Sequence, residues 1–230
     1  MKLIAHRSGP TVLPEQTIPS ARLALQSGAD MVEVDTRFTA DNRIAVCHDD
    51  SAGRVFGVDK RICDMTAQEF RSLRHTDDPA FPSHLLEDYL RCGIAPLLLH
   101  IKESGDRLPL LLDCLKRHEY LDKVVFGVQQ TEDIAVIRDF YPRARILAFM
   151  PAAETADEFI EKGADYIRLW EQWITEDRVR QILDAGRKVW IMANNPELGF
   201  ACSSPEILKG WEKLGVSGVL LNDIGPGLEI

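Results

Sequence analysis

Three short stretches of this chain carry residue types that can do acid–base and metal chemistry. His6-Arg7 ends the first apolar run, Glu33-Val34-Asp35 lies in the second, and His48-Asp49 closes the third. In an extended strand, residues i and i+2 point to one face, so Glu33 and Asp35 project together while Val32 and Val34 face away. Two adjacent carboxylates repel unless a cation or a proton lies between them. All-oxygen ligands of this kind suit one divalent ion such as Mg²⁺, Ca²⁺ or Mn²⁺, although the pair taken alone could be a solvated strand face. Two histidines, an arginine and such an ion form a set able to cleave a phosphodiester. Arg7 and the metal neutralise the phosphoryl oxygens. One imidazole takes a proton from the attacking hydroxyl and the other protonates the departing alkoxide. Histidine suits both tasks because its pKa of about 6.5 lets either form exist near neutrality. The residues do not say which histidine is which.

Such a set works only if the chain brings it together. Candidate strands are Leu3–His6, Met31–Arg37, Ile44–His48, Pro96–Lys102, Lys123–Val128, Arg145–Met150, Tyr166–Trp170, Lys188–Ala193 and Val219–Asn222. Between most of them lie helices with legible start signals. Thr66…Glu69 and Thr155…Glu158 read as capping boxes, and Ser204-Pro205 as an N-cap followed by a first-turn proline. Gly28 and Gly163, each followed by Ala-Asp and then a strand, read as left-handed helix ends, with Gly186 and Gly215 in similar places. This repeating β-α unit argues for a parallel sheet. Only Phe38 to Arg43 separate the second and third strands, too few residues for a parallel crossover. That pair is therefore a hairpin turning at Ala40-Asp41-Asn42, which returns His48 roughly opposite Val34 or Asp35. Removing the return strand leaves eight, so the expected fold is α/β, a single (β/α)8 TIM-type barrel over residues 1–230. An open doubly wound sheet would carry a Gly-rich phosphate loop after its first strand, and His6-Arg7-Ser8-Gly9-Pro10 is not one.

Bulk properties narrow the partners. Of 230 residues, 27 are Lys or Arg and 36 are Asp or Glu, a net charge of -9 that repels nucleic acid and anionic membranes. An anionic substrate then needs a local cation. No apolar stretch approaches the roughly 20 residues of a membrane helix, and the N-terminal run Leu3-Ile4-Ala5 is too short for a signal-peptide core. Five cysteines without CxxC spacing read as free thiols, so a cytoplasmic location is expected.

The runs His6-Arg7-Ser8-Gly9, Pro14-Glu15-Gln16-Thr17, Gly28 to Asp35, and Val46-Cys47-His48-Asp49 resemble the glycerophosphodiester phosphodiesterase family. They match its His-Arg-Gly, Pro-Glu-Asn-Thr, Glu-x-Asp and His-Asp motifs in order. Arg54 also matches, and the likeness continues more thinly to Asp223. The resemblance implies a barrel with its site at the C-terminal face, metal ligands at Glu33 and Asp35, acid–base roles for His6 and His48, and phosphate or metal contacts from Arg7, Glu15 and Lys102. It implies a small-molecule phosphodiester as substrate and metal-dependent hydrolysis to a phosphomonoester and an alcohol. A lyase-like relative stopping at a cyclic phosphate and a non-catalytic phosphoester-binding relative are the alternatives. The chain also departs from the family. His100 stands where relatives have a third carboxylate ligand, so it is either a metal ligand or a hydrogen-bonded core histidine. Gln16 replaces an asparagine, Val128-Gln129 replaces a Ser-Phe pair, and Ile191, beside Trp190, takes the place of a pocket aromatic. Glu15 could simply begin a helix and Lys102 could be an interior ion-pair partner. Trp170 and Glu171 could shape a pocket or pack at the surface, and His75, His84 and His118 read as surface residues.

Overall fold

The structure is a computed structural model, describing residues 1–9 and 11–230. Pro10, in the run that follows the first strand, lies outside the described residues. Strands β1 (Lys2–Ala5), β2 (Met31–Phe38), β3 (Ile44–Val46), β4 (Leu97–Ile101), β5 (Val124–Val128) and β6 (Arg145–Ala148) are followed by β7 (Tyr166–Trp170) and β8 (Lys188–Met192). A two-residue ribbon, β9 (Asn194–Asn195) with β10 (Gly199–Phe200), precedes β11 (Val216–Leu221). The order β1-β11-β8-β7-β6-β5-β4-β2 is parallel throughout, and β1 also pairs with β2, so eight strands close a barrel. β3 lies outside it, antiparallel to β2 with Thr36 opposite Val46, as the short connection requires.

Strand alternation sorts the side chains. Val32, Val34, Leu97, Leu99, Ile167 and Ile191 join the large core between barrel and helices. Ile4, Met31, Leu98, Val125, Leu147, Trp190 and Leu220 fill the barrel interior. This apolar plug is the floor on which the polar residues at the C-terminal strand ends stand. Seven helices follow the strands: α1 (Ile18–Gln26), α4 (Leu86–Arg91), α5 (Leu108–Arg117), α6 (Glu132–Phe140), α7 (Ala156–Glu161), α8 (Glu176–Asp184) and α9 (Pro205–Lys213). After β11 comes a single 3-10 turn, Gly225–Glu229. Gly28 and Gly163 take the left-handed conformation at helix ends, with φ of 106° and 96°.

The Thr66–Glu69 capping box is formed, and Ser204 caps α9 by accepting the Ile207 N–H. Thr155 does not cap. A 3-10 turn over Ala153–Thr155 leaves it at ψ 1°, not extended as an N-cap must be, and its hydroxyl donates to the Ala152 carbonyl instead. Between β3 and α4, two further helices, α2 (Gly53–Phe56) and α3 (Ala67–Arg71), build a satellite core around Phe56, Ile62, Met65, Phe70 and Leu85. His75 belongs to it, 4% exposed with its ring 5.0 Å from Phe56, so it is buried rather than a surface residue. His84 and His118 are half-buried.

Candidate active site at the barrel mouth

The C-terminal strand ends surround a cavity of about 580 Å³. Its near side carries His6, just beyond β1, Glu33 on β2, His48 after the hairpin, and His100 and Lys102 at the end of β4. Glu33, Asp35 and His100 are all buried, and one ligand atom from each lies within 4.8 Å of the others.

Each carboxylate has one oxygen anchored. Glu33 Oε2 accepts the Arg7 backbone N–H at 2.7 Å, and Asp35 Oδ2 accepts from Gln16 Nε2 at 2.6 Å. The other oxygens turn to His100, whose Nδ1 lies 2.9 Å from Asp35 Oδ1 and 3.8 Å from Glu33 Oε1. Lys102 Nζ is 3.1 Å from the same Oδ1. Neither contact has hydrogen-bond geometry, so Oδ1 is buried without a hydrogen-bond partner among the described residues. Two anchored carboxylates, each with a free oxygen facing an imidazole nitrogen, fit a divalent cation. Burial and then the Asp35 charge raise Glu33 well above the usual carboxylate range. For Asp35, burial pushes the same way but is outweighed by His100 and Lys102, which hold it far below that range.

His100 is also clamped from behind. Its ring stacks on Phe149, with centroids 3.8 Å apart and planes 7° from parallel, and its Nε2 lies 3.0 Å from the Gln129 side-chain amide. Burial pushes its pKa down to about 3. For Nδ1 to offer a lone pair to a cation, the ring proton must sit on Nε2. Gln129, with its amide turned over, supplies the oxygen that would accept it.

The two remaining histidines are held in the same tautomer. His6 Nδ1 lies 2.8 Å from Asn222 Oδ1, and His48 Nδ1 lies 2.7 Å from Asp49 Oδ1. An amide oxygen and a carboxylate can only accept, so both Nδ1 atoms carry the proton and both Nε2 atoms keep their lone pairs. Asn222 is oriented in turn by donating from Nδ2 to the Phe200 carbonyl. Asp49 is gripped by Arg54, whose Nε lies 2.6 Å from Oδ2. Burial pushes His6 down to about 4 and lowers His48 to a lesser degree.

Arg7 and Glu15 stand beside the cavity rather than lining it. The Arg7 backbone, at φ 46°, turns its N–H onto Glu33, while its guanidinium reaches Glu15 at 3.3 Å. Glu15 lies before α1 rather than in it and is bound more closely by Arg54, at 2.7 Å. Burial favours its neutral form, but Arg54 and Arg7 outweigh that and lower its pKa.

The far wall holds residues that the sequence reading passed over. Arg168 on β7, Phe149 after β6, Met192 on β8 and Phe200 on the ribbon all line the cavity, as does Trp170. Alternation in Tyr166-Ile167-Arg168-Leu169-Trp170 was the available signal for Arg168: Ile167 and Leu169 face the helices, which puts the arginine inside. Ile191 also faces the helices, so Met192, with Trp190 below it, takes the inward position on β8. Glu171 turns away from the cavity and accepts from the Asn194 backbone and the Asn195 amide, tying down the ribbon.

Comparison with known proteins bears on the family and the fold. A bovine protein, Glycerophosphodiester phosphodiesterase 1, is 31% identical over 145 residues, which cover 60% of this chain and 42% of the relative. The chain thus spans about two fifths of that protein's length. A glycerophosphodiester phosphodiesterase from Agrobacterium tumefaciens superposes with a TM-score of 0.79 at 17% identity, covering 100% of both chains. A phosphodiesterase from Oleispira antarctica, solved in complex with the product sn-glycerol-3-phosphate, superposes with a TM-score of 0.82 at 20% identity, over 96% of this chain and 93% of that one. At such identities the superpositions establish the barrel fold. The model of the glycerophosphoryl diester phosphodiesterase family matches residues 6–125, more than half of the chain and the segment that carries Glu33, Asp35, His48 and His100, and the chain therefore belongs to that family.

Proposed function

We propose that this chain hydrolyses a glycerophosphodiester, or a related small phosphodiester, to a phosphomonoester and an alcohol, with His6 and His48 as the acid–base pair. One observation carries the reading. Two histidines, each with Nδ1 engaged, line the same cavity as Glu33, and the buried carboxylates of Glu33 and its neighbour Asp35 each leave one oxygen unanchored. Glu33, Asp35 and His100 would hold a divalent cation, whose charge would oppose that of the phosphoryl oxygens. Lys102 adds a second positive charge at that spot, and the Arg7 backbone fixes Glu33. His6 and His48 exchange protons with the attacking hydroxyl and the leaving oxygen. The Nδ1 contacts keep each ring from rotating its free nitrogen out of the cavity. An acidic chain with five free thiols suits a small-molecule substrate in a reducing, cytoplasmic setting.

The test is release of glycerol 3-phosphate from a panel of glycerophosphodiesters with Mg²⁺, Ca²⁺ or Mn²⁺. Glu33→Gln and Asp35→Asn should abolish the metal-dependent rate while leaving the circular dichroism spectrum unchanged. His6→Ala and His48→Ala should each lower turnover by on the order of 10²–10⁴ with an alkyl leaving group. A nitrophenyl diester, whose nitrophenolate leaves without needing a proton, should rescue only the variant lacking the acid. Equal losses on both substrates in both variants would remove the acid–base division. Accumulation of a cyclic phosphate would mark a lyase, and absence of turnover with every metal would mark a binding protein.

A further inference from the structure

The far wall of the cavity holds a charge that the chemistry above leaves idle. Arg168 is 5% exposed and lines the cavity, yet its Nε and Nη1 are buried without hydrogen-bond partners among the described residues. No carboxylate among the described residues pairs with it, and burial alone accounts for the lowering of its pKa to about 10. Aromatic faces hold the guanidinium in place: its central carbon lies 4.4 Å from the Trp170 ring centre, 5.2 Å from Phe149 and 5.8 Å from Trp173. Stacking satisfies the flat faces of a guanidinium but not its edge, where the five N–H donors lie. A buried cation with unused donors is unfavourable until an anion reaches it.

Position decides where that anion comes from. β7 is four strands from β2 in either direction around the closed barrel, so Arg168 stands across the mouth from Glu33 and Asp35. The cavity joins the two sides. A phosphoryl group held between the histidines and the carboxylates would leave room in this cavity for one of its substituents on the Arg168 side. We propose that Arg168 determines specificity by receiving a second anionic group, a carboxylate or a phosphate, carried on the substrate away from the scissile phosphorus. This rests on the hydrolytic reading above and names its substrate class: a phosphodiester with an additional negative charge. It also disfavours a quaternary ammonium alcohol. Phe149, Trp170 and Trp173 would otherwise form an aromatic box for such a cation, but the guanidinium already covers those faces and repels it.

A matched pair of substrates tests this, the glycerophosphodiester of 3-hydroxypropionate and its methyl ester, with the choline diester as a third. Wild type should favour the free carboxylate over the ester in kcat/KM by about ten- to a hundredfold, as a charge-assisted contact allows. Arg168→Met should lose that preference, mainly through KM, and gain on the choline diester. Arg168→Lys should retain part of it. Equal kcat/KM for acid and ester in wild type, or an unchanged preference in Arg168→Met, overturns the proposal. The wild-type comparison decides even if the variants do not fold. Calorimetric affinities for the non-hydrolysable phosphonate versions of the same pair, with Mn²⁺ present, separate the two readings. Tighter binding of the acid without turnover of any diester keeps the subsite and removes the hydrolase. Turnover with acid and ester indistinguishable does the reverse.

Discussion

At the scale of single residues, burial ties the titration of His6 to the stability of the fold. His6 titrates at about 4 in the fold against 6.5 when unperturbed, because burial disfavours its charged form. Between those values the unfolded chain binds a proton at this residue and the folded chain does not, so the contribution is present above about pH 6.5 and is lost as pH falls towards 4. The shift corresponds to on the order of 3 kcal/mol. His6→Asn lacks the titration, so from pH 7 to pH 4 the stability difference should move in favour of the variant by about that much. Urea denaturation of both proteins in chelator, at several pH values, measures it; parallel pH profiles would contradict the buried neutral imidazole. At His100 the proposed role as a metal ligand can be tested. Replacing a carboxylate with neutral imidazole removes a hard oxygen, which Ca²⁺ needs more than Mn²⁺ or Zn²⁺ does. His100→Glu should bind Ca²⁺ more tightly than wild type in a calorimetric titration. Unchanged affinity would return His100 to a hydrogen-bonding role. Behind the ring, Gln129 meets its Nε2 and Phe149 stacks on its face, so both would share in orienting the proposed ligand nitrogen.

At the scale of elements, β5 decides where the His100 ring can lie. Gly127 sits on β5 opposite His100 on β4, and a Cβ there would overlap the Phe149 ring and come within 3.0 Å of the Leu99 carbonyl oxygen. The glycine thus makes room for the aromatic ring that stacks on His100. Gly127→Ala should cost about 1–3 kcal/mol by overpacking and displace Phe149, loosening His100. A lower urea midpoint together with weaker Mn²⁺ binding is the expected result. A variant with wild-type stability and affinity would show that Phe149 can move without consequence for the site. The β2–β3 hairpin plays the matching role for His48. The ladder continues to the Cys47 N–H, which donates to the Asp35 carbonyl, and Arg37 then grips the His48 carbonyl with two nitrogens.

For the whole molecule, the buried Glu33–Asp35 pair is an electrostatic cost that the proposed cation would relieve. A ligand that binds only the folded state stabilises it by mass action, about 2.7 kcal/mol at a hundred times its Kd. For a domain of this size that corresponds to a rise in Tm of roughly 5–10 °C. Differential scanning calorimetry with and without Mn²⁺ should show the rise in wild type and lose most of it in Asp35→Asn. Hydrolysis without any shift in wild type would mean that the metal assignment is wrong.

Periodicity and punctuation were enough to specify the barrel. Apolar runs marked nine strands, glycine at helix ends marked the β-α repeat, and the six residues Phe38 to Arg43 allowed only a hairpin between the second and third candidates, which left eight for the barrel. The near side of the site was equally legible, since Glu33 and Asp35 share a face by strand geometry and His48 returns by turn geometry. These are local rules, which the chain obeys wherever it folds. What tertiary structure alone decided lies on the far wall and in the directions of side chains. Arg168, Phe149 and Phe200 come from separate units with no shared spacing, and only closure of the barrel sets them facing the carboxylates. Met192 rather than Ile191 faces inward because the phase of β8 is fixed by its pairing with β7 and β11, not by which residue is more aromatic or polar. Thr155 carries the capping sequence yet does not cap, because the turn before it sets its backbone. Arg7 is adjacent to His6 in the chain but turns its guanidinium to Glu15, because a left-handed residue at that point sends its backbone, not its side chain, to Glu33.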